Sequence, residues 1–589
     1  MRLSSPTILT VLGPFFALVC AAPSGPSNLV KLSIALAPAD STLLERTLYE
    51  VSDPLSPRYG QHLSRDEAHA LVAPRADSAG IVKRWLTDIG APADRIHHEG
   101  RWIEAHVPAE HAKRFSGGES EVNAKRSLPD AVGEHISLVH RSSGFENAGD
   151  PRQSLNRRNI QTRAAAALGP GLQSRKPDLN NCHLVAGPAC MREWYKIPVK
   201  KEKPSKGNLL GIVGFLGQTA QHEQLEEFQK RFDPFSTGGN FTSQGINGGV
   251  NPQETPEQQY ASGEANGNAQ YTVALTYDIP VRFYPVGGLK TDYVPDLDFT
   301  ADVDNEGYGI EPFLELAKGL MALSDKDLPL VVSMSWSSNE QHFQKQYAKE
   351  TCNLFGQLGT RGVSILSSAG NLGPGGSCQS NDGKKRTKFM PAFPASCPYV
   401  TSVGGTTLTS NTSAGGRSGK SVAIDFGGGG FSDVFDRPQW QDKAVKAYLK
   451  KHGDKWKKYY NQNGRGYPDV AAHAGPANVP TMNHGDEQYI GGTSVATPVF
   501  ASLISRINNQ RLKDKKPPMG FLNPFLWKVG DKAFTDITSG KSVGCTGESV
   551  EGLPSPEIPG AGWEAVKGWD PITGWGTPRF DKLKKEACD

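Results

Sequence analysis

Apolar residues recur along the chain in short runs bounded by Gly, Pro or Asn, at 209–215, 330–335 and 363–368. Between these runs the apolar positions fall at helical spacing, as in His222–Phe232 and in residues 311–323 and 341–358. Near-continuous apolar strands alternating with helices predict a parallel sheet covered on both faces. In such sheets ligands sit beyond the carboxyl ends of the strands. Nearer the amino end, residues 28 to about 115 alternate strand-like and helical patterns: Leu29–Leu36 reads as a strand, and Asp40-Ser41 is placed to cap the helix after it. From Ser116 to Pro177 the chain turns polar and basic, with Lys125-Arg126, Arg157-Arg158 and Arg175-Lys176 set among Ser, Asn, Gln and Gly. Such a stretch buries little and is expected to be an exposed, cleavable linker. A solvated hinge is the plainer reading, but its place between a leader and a larger body favours processing.

The first residues suggest where the chain goes. Met1-Arg2 is a short basic start, Thr7 to Cys20 is apolar, and Val19-Cys20-Ala21 offers small residues. That pattern reads as a secretory signal peptide cut after Ala21. Pro6 and Pro14 interrupt a run already short for a membrane anchor, and no later stretch reaches about 18 apolar residues. The mature chain is therefore expected to be soluble and extracellular.

At 589 residues, 37% hydrophobic and 21% charged, the chain has apolar material for a sizeable core and length for two to four domains. Lys and Arg (64) exceed Asp and Glu (61) by only 3, so neither nucleic acid nor a membrane surface is expected as a partner. Of the 8 cysteines, loss of Cys20 leaves Cys182, Cys190, Cys352, Cys378, Cys397, Cys545 and Cys588, an odd set in which at least one thiol stays free or pairs between chains. Their spacings fit no zinc pattern, so disulfides are the reading. Cys182 and Cys190 are close enough for a local loop. Asn240-Phe241-Thr242 and Asn411-Thr412-Ser413 are glycosylation sequons.

The sharpest feature is Gly491-Gly492-Thr493-Ser494-Val495-Ala496-Thr497-Pro498. It puts the Ser494 hydroxyl at a helix N-terminus, where the dipole and free N–H groups favour a developing oxyanion. A serine in a Gly-rich turn is ordinarily just a cap. This one, however, resembles the nucleophile motif shared by subtilisins and sedolisins. A subtilisin also needs an H-G-T-H histidine ahead of its serine; here there is none, and His484-Gly485 lies only ten residues before Ser494. Sedolisins use a glutamate base with an aspartate one helical turn later. Gly263-Glu264-Ala265-Asn266-Gly267-Asn268-Ala269-Gln270-Tyr271 is similar to that stretch, with Glu264 at the base and Asn268 at the aspartate. Positions i and i+4 share a helix face, which lets the second group orient the first.

Further segments resemble the sedolisin (serine-carboxyl peptidase) family in the expected order: 393–406, 430–435, 467–472, 534–540 and 568–578, with residues 52–63 resembling its activation domain. The resemblance covers nearly the whole chain after the signal peptide and is nearest to fungal tripeptidyl-peptidase-type members. It implies an α/β, subtilisin-like catalytic domain with a mainly parallel sheet, preceded by an α+β activation propeptide domain. The division is then 1–21 signal peptide, 22–115 activation domain, 116–177 processing linker and 178–589 peptidase domain. It implies a secreted zymogen in which Glu264 takes the Ser494 proton and an acyl-enzyme forms. It also implies a calcium ion, with side chains from Asp536 and Asp570 and carbonyls from Ile537, Val566 and Gly568; solvated turn acids are the plainer reading. The partners expected are peptide or protein substrates and the chain's own propeptide, as inhibitor and chaperone, on a monomer. The family pattern suggests Cys378 with Cys545; pairing Cys352 with Cys397 rests on no motif and leaves Cys588 unpaired.

Two positions depart from the family. Asn268 stands where the aspartate partners the base, and Asn371, in Ser368-Ala369-Gly370-Asn371-Leu372-Gly373, where a protonated aspartate serves the oxyanion hole. An amide donates at every pH, whereas an aspartate donates only when protonated. Asn371 is thus competent and less tied to acid. Asn268 can orient Glu264 but cannot share a proton, and its hydrogen bond lowers the base's pKa. Two readings compete: an active peptidase with a relaxed acid requirement, and a catalytically impaired sedolisin-fold binding protein. A structural secreted glycoprotein would leave the ordered motifs unexplained. Whether cleavage is tripeptidyl or internal turns on a cleft that closes behind the third residue and binds a free amine.

Overall fold

The computed structural model describes residues 29–115, 128–141, 179, 182–253, 262–300, 309–409 and 420–589. The signal peptide, most of the basic stretch and the Asn411 sequon lie outside the described residues.

The leader is a four-stranded antiparallel sheet in the order Ile96–Glu99, Trp102–Pro108, Leu29–Leu36, Ile136–Arg141. Alternation in Trp102–Pro108 turns Ile103, Ala105 and Val107 inward, where they pack with Leu32, Ile34 and Leu36 and with Val82 and Leu86 of the Ser78–Asp88 helix. Period-two burial on one face is what an antiparallel sheet needs. The expected boundary at 115 is corrected here. The stretch assigned to linker contains the Asp130–Gly133 helix and the Ile136–Arg141 strand, which completes the sheet beside Leu29–Leu36. Its buried positions, Ile136, Leu138 and His140, alternate, a signal too short to stand out among basic flanks. The expected cap is shifted as well: Thr42 is the N-cap residue of the Leu43–Ser52 helix, and Asp40 accepts from the Thr42 N–H and hydroxyl.

The body holds an eight-stranded sheet in which Thr401–Leu408, Ser364–Ser368, Val331–Met334, Leu210–Gly214, Val281–Pro285 and Phe241–Ser243 run side by side in parallel. Val470–His473 also pairs in parallel with Thr401–Leu408, and Ser421–Ala423 adds an antiparallel edge. Leu210–Gly214, Val331–Met334 and Ser364–Ser368 are buried along their whole length, as strands covered on both faces must be. One face carries the Gly263–Thr276 and Thr493–Lys513 helices, which pack on each other. The other carries Phe313–Ala322 and Lys345–Thr360.

The leader docks on those last two helices through charged groups. Arg101 pairs with Glu350 at 2.9 Å, both side chains nearly sealed from water, and Glu104 pairs with Lys318. His140 lies 3.0 Å from Glu315 and 3.4 Å from Asp292. Among the described residues three disulfides join Cys182–Cys190, Cys352–Cys397 and Cys378–Cys545, and Cys588 is free.

Candidate active site

Ser494 is the second residue of the Thr493–Lys513 helix, entered through Gly492 at φ 135°, a conformation L side chains rarely adopt. A Cβ on Gly492 would also meet the Asn371 amide nitrogen at 3.0 Å. Glycine there lets the Asn371 amide come up against the backbone just ahead of the nucleophile. Pro498 stands four residues after Ser494 and has no N–H to give, so the Ser494 carbonyl lacks its helical donor. Ser335 fills the gap: its Oγ lies 2.8 Å from Ser494 O.

The same hydroxyl lies 3.1 Å from Asn268 Oδ1, so its one proton is shared between two acceptors. With Asn268 Oδ1 facing Ser335, its Nδ2 donates to Glu264 Oε1 at 3.2 Å. Glu264 opens the Gly263–Thr276 helix, whose first N–H groups, at Glu264 and Ala265, donate to Gln218 Oε1 at 3.0 and 3.1 Å. A line of hydrogen bonds therefore joins Glu264, Asn268, Ser335 and the main-chain carbonyl of Ser494. The Ser494 hydroxyl itself donates to Ser335 O at 3.2 Å.

Asn371 follows the Ser364–Ser368 strand. Its Oδ1 accepts the Thr493 N–H at 2.8 Å and the Thr493 hydroxyl at 3.0 Å, which fixes the amide so that Nδ2 faces the space beside Gly492. All four sequence-predicted residues, Ser494, Glu264, Asn268 and Asn371, thus meet at the carboxyl ends of neighbouring parallel strands. Sequence reasoning missed Ser335 and Gln218. A polar residue ending an apolar strand was the one signal for Ser335; Gln218 had none.

The terminal segments hold the two expected acids. Asp570 is fully buried, its carboxylate accepting from Val566 N at 2.9 Å and from Ile572 and Thr573. Asp536 Oδ2 accepts from Gly568 N at 2.9 Å, while its buried Oδ1 has no hydrogen-bond partner. Burial pushes the sealed Asp570 carboxyl up to about 7, and at half-buried Asp536 it outweighs the Gly568 N–H and nearby Lys567 and raises that group as well. Among the described residues no three His, Cys, Asp or Glu side chains cluster to hold a metal, so an ion here would draw on backbone carbonyls as well.

A serine at a helix N-terminus beside the ends of a parallel sheet, with a docked amino-terminal domain, defines a serine peptidase of the subtilase class made as a zymogen. Residues 18–145 match the family described as Pro-kumamolisin, activation domain, and residues 312–519 match the subtilase family. Over 573 residues the chain is 37% identical to tripeptidyl-peptidase SED2 of Arthroderma otae, covering 95% of this chain and 92% of that protein. It is 36% identical over 576 residues to the probable tripeptidyl-peptidase SED3 of Arthroderma benhamiae, with 96% and 92% covered. Among solved structures, Pseudomonas sedolisin complexed with two molecules of pseudo-iodotyrostatin aligns at a TM-score of 0.47 and 20% identity, over 68% of this chain and 96% of that one. The chain belongs to the sedolisin family of serine peptidases.

Proposed function

We propose that the chain is a secreted, acid-acting sedolisin that cuts peptide bonds with Ser494 as nucleophile and Glu264 as general base, releasing tripeptides as its relatives' names describe. The observation that carries this is that Asn268 and Ser335 tie Glu264 to the main-chain carbonyl of Ser494, which brings the carboxylate and the serine into one site, with the Asn371 amide fixed alongside. The Ser494 hydroxyl turns from Ser335 O to Glu264 and gives up its proton as Oγ bonds to the scissile carbonyl carbon. Apo geometry commonly tightens in this way on substrate binding. Asn371 Nδ2 donates to the oxyanion, a contribution worth about 10²–10³ in rate in comparable enzymes. Collapse breaks the C–N bond, and the leaving amine takes the proton from Glu264. Water then repeats the sequence on the acyl-enzyme.

The residues at the terminal segments fit a calcium ion: Asp536 Oδ2 and the sealed Asp570 carboxyl hold the N–H groups of Gly568 and Val566, and Asp536 Oδ1 is buried with no hydrogen-bond partner. The ion would cross-link these turns and takes no part in the chemistry. Secretion rests on the amino-terminal pattern; among the described residues no helix is long and apolar enough to cross a membrane. Asn240 is exposed, as a glycosylated asparagine must be.

Secreted wild type and Ser494→Ala, incubated with calcium from pH 3 to 8, test the reading by loss of the leader and by cleavage of a tripeptide amide with a free amine. Both events in wild type alone are expected. Two equally inert proteins, towards unfolded protein as well, would leave a sedolisin fold kept for binding.

A further inference from the structure

A cavity of about 140 Å³ opens beside Asn371, between residues 337–339 and 368–373 at the ends of two adjacent parallel strands. We infer that it is built to take a basic side chain, lysine or arginine, on the amino side of the bond that is cut, with Asp298 selecting it; this rests on the peptidase reading above.

The walls are apolar, from Phe299, Ile310, Met390 and Ala392, and the polar lining includes Asp298, Asn339 and His342. The charges there do not balance. His342 Nε2 lies 2.9 Å from Asp296 Oδ2. Burial by itself would discharge this imidazole, but Asp296 outweighs it and favours the charged form. Asp296 is also supplied by the amides of Asn339 and Gln341 and by the N–H groups of Asp298 and Phe299. That pair is internally neutral.

Asp298 is the excess. It is 5% exposed and takes three neutral donors: Asn339 Nδ2 and Ser377 Oγ at 3.0 Å on one oxygen, and Val550 N at 3.1 Å on the other. Among the described residues lining the cavity there is no Lys or Arg. Buried Glu311, held by the Ser338 hydroxyl at 2.8 Å, adds a further acid behind the same rim. A site with one surplus carboxylate and apolar walls suits a side chain with an apolar stem and a cationic end. The stem packs on the walls while the head supplies the counter-charge that the three neutral donors do not. Norleucine offers the stem alone, and rejecting a ligand that lacks the hydrogen-bonding group is where such sites discriminate most.

The test is a peptide series differing only at that position, with lysine, arginine, norleucine, glutamine or glutamate. Its turnover is measured on the acid-matured secreted protein. Its affinity is measured by calorimetry on the Ser494→Ala chain after acid and trypsin treatment to free the leader. Lysine and arginine are expected to exceed norleucine by about tenfold or more in kcat/KM and in affinity. Asp298→Asn, which keeps one acceptor oxygen for Asn339 and Ser377 and gives up the one facing Val550 N, is expected to bring the ratio close to one. A wild-type ratio of one or below overturns the assignment without need of any variant. So does glutamate accepted as well as lysine, since His342 would then control the cavity. Binding that favours lysine in a protein with no turnover would sink the peptidase reading and uphold the cavity's selectivity. Turnover without that preference would do the reverse.

Discussion

Asn268 Nδ2 donates to Glu264 Oε1 at 3.2 Å, one helical turn apart on a helix buried along nearly its whole length. The contact pairs the carboxylate with a neutral donor. Asn268→Asp would put two carboxyl groups in that contact. The pair would then titrate as a unit, with one apparent pKa raised. The acid limb of kcat/KM against pH is expected to move up by about one unit. A pH profile of matured wild type and variant on one substrate checks it; an unmoved limb would remove Glu264 from the role of base.

Asn371 is oriented by Thr493 through two contacts of 2.8 and 3.0 Å to its Oδ1. An aspartate in that place can donate only when protonated, and once ionised it opposes the oxyanion. Asn371→Asp is expected to leave activity at acid pH and lose it as the pH rises through the carboxyl's ionisation, while wild type continues. Asn371→Ala is expected to lower kcat by about 10²–10³ with little change in KM. Steady-state kinetics at several pH values separate the two variants.

Ser335 supports both halves of the site by one hydroxyl. Ser335→Ala leaves the Ser494 carbonyl without the donor that Pro498 cannot supply, and leaves the Asn268 amide free to turn over. A lost buried hydrogen bond is worth about 1–3 kcal/mol. The variant is expected to lose about tenfold or more in kcat with KM little changed. Ser335→Thr, which restores the hydroxyl, is expected to recover most of it. Equal loss in both variants would assign Ser335 to packing alone.

Legibility in the sequence followed the range of the contacts involved. The His222–Phe232 helix is bounded as its apolar spacing predicts, and the Leu210–Gly214 and Ser364–Ser368 strands fall within their apolar runs. Glu264 with Asn268, and Thr493 with Ser494, are neighbours in sequence, so local spacing reveals them. Ser335 and Gln218 act across the fold, on helices far along the chain, and local pattern marks Ser335 only as a polar strand end and Gln218 not at all. Residues 341–344 read as part of one helix, yet the chain makes a 3-10 turn at Glu340–His342, extends at Phe343, and the Lys345–Thr360 helix starts only after Gln344. The Ile136–Arg141 strand stayed hidden because His140, a polar residue, occupies one of its inward positions.

His140, Asp292 and Glu315 together couple leader docking to pH. Burial would depress the histidine, but Asp292 and Glu315 together raise it to about 9. The same contacts, aided by Lys290 on Asp292, outweigh burial and lower both carboxyl groups. The histidine's contribution is complete below its free pKa and is lost only as pH rises through about 9. The carboxylates' contribution is present above their free pKa values and is lost as pH falls through their depressed ones. Acid therefore releases the leader through the carboxylates, not through the histidine. His140→Gln removes a cation between two buried acids and is expected to shift leader loss to higher pH by about one unit. Gel analysis of secreted Ser494→Ala with and without His140→Gln, cut in the basic stretch by trypsin, follows release without self-cleavage.

Asp570 and Asp536 make calcium a stability question. Asp570 is sealed and supplied only by neutral donors, and one Asp536 oxygen is buried with no partner at all. Burial works against the charged form at both, pushing Asp570 up to about 7 and raising Asp536. An ion binding only the folded chain stabilises it by about 2.7 kcal/mol at a concentration one hundred times its Kd. Chelation is expected to lower Tm by several degrees near neutral pH and by less in acid, where protons compete with the metal for the carboxylates. Asp536→Asn should reduce the calcium response without abolishing the fold, because it keeps an acceptor for Gly568 N. Thermal melts with calcium, with chelator and with magnesium read this out. A Tm indifferent to all three would return both aspartates to the role of turn residues, with Asp570 held in place by Val566, Ile572 and Thr573.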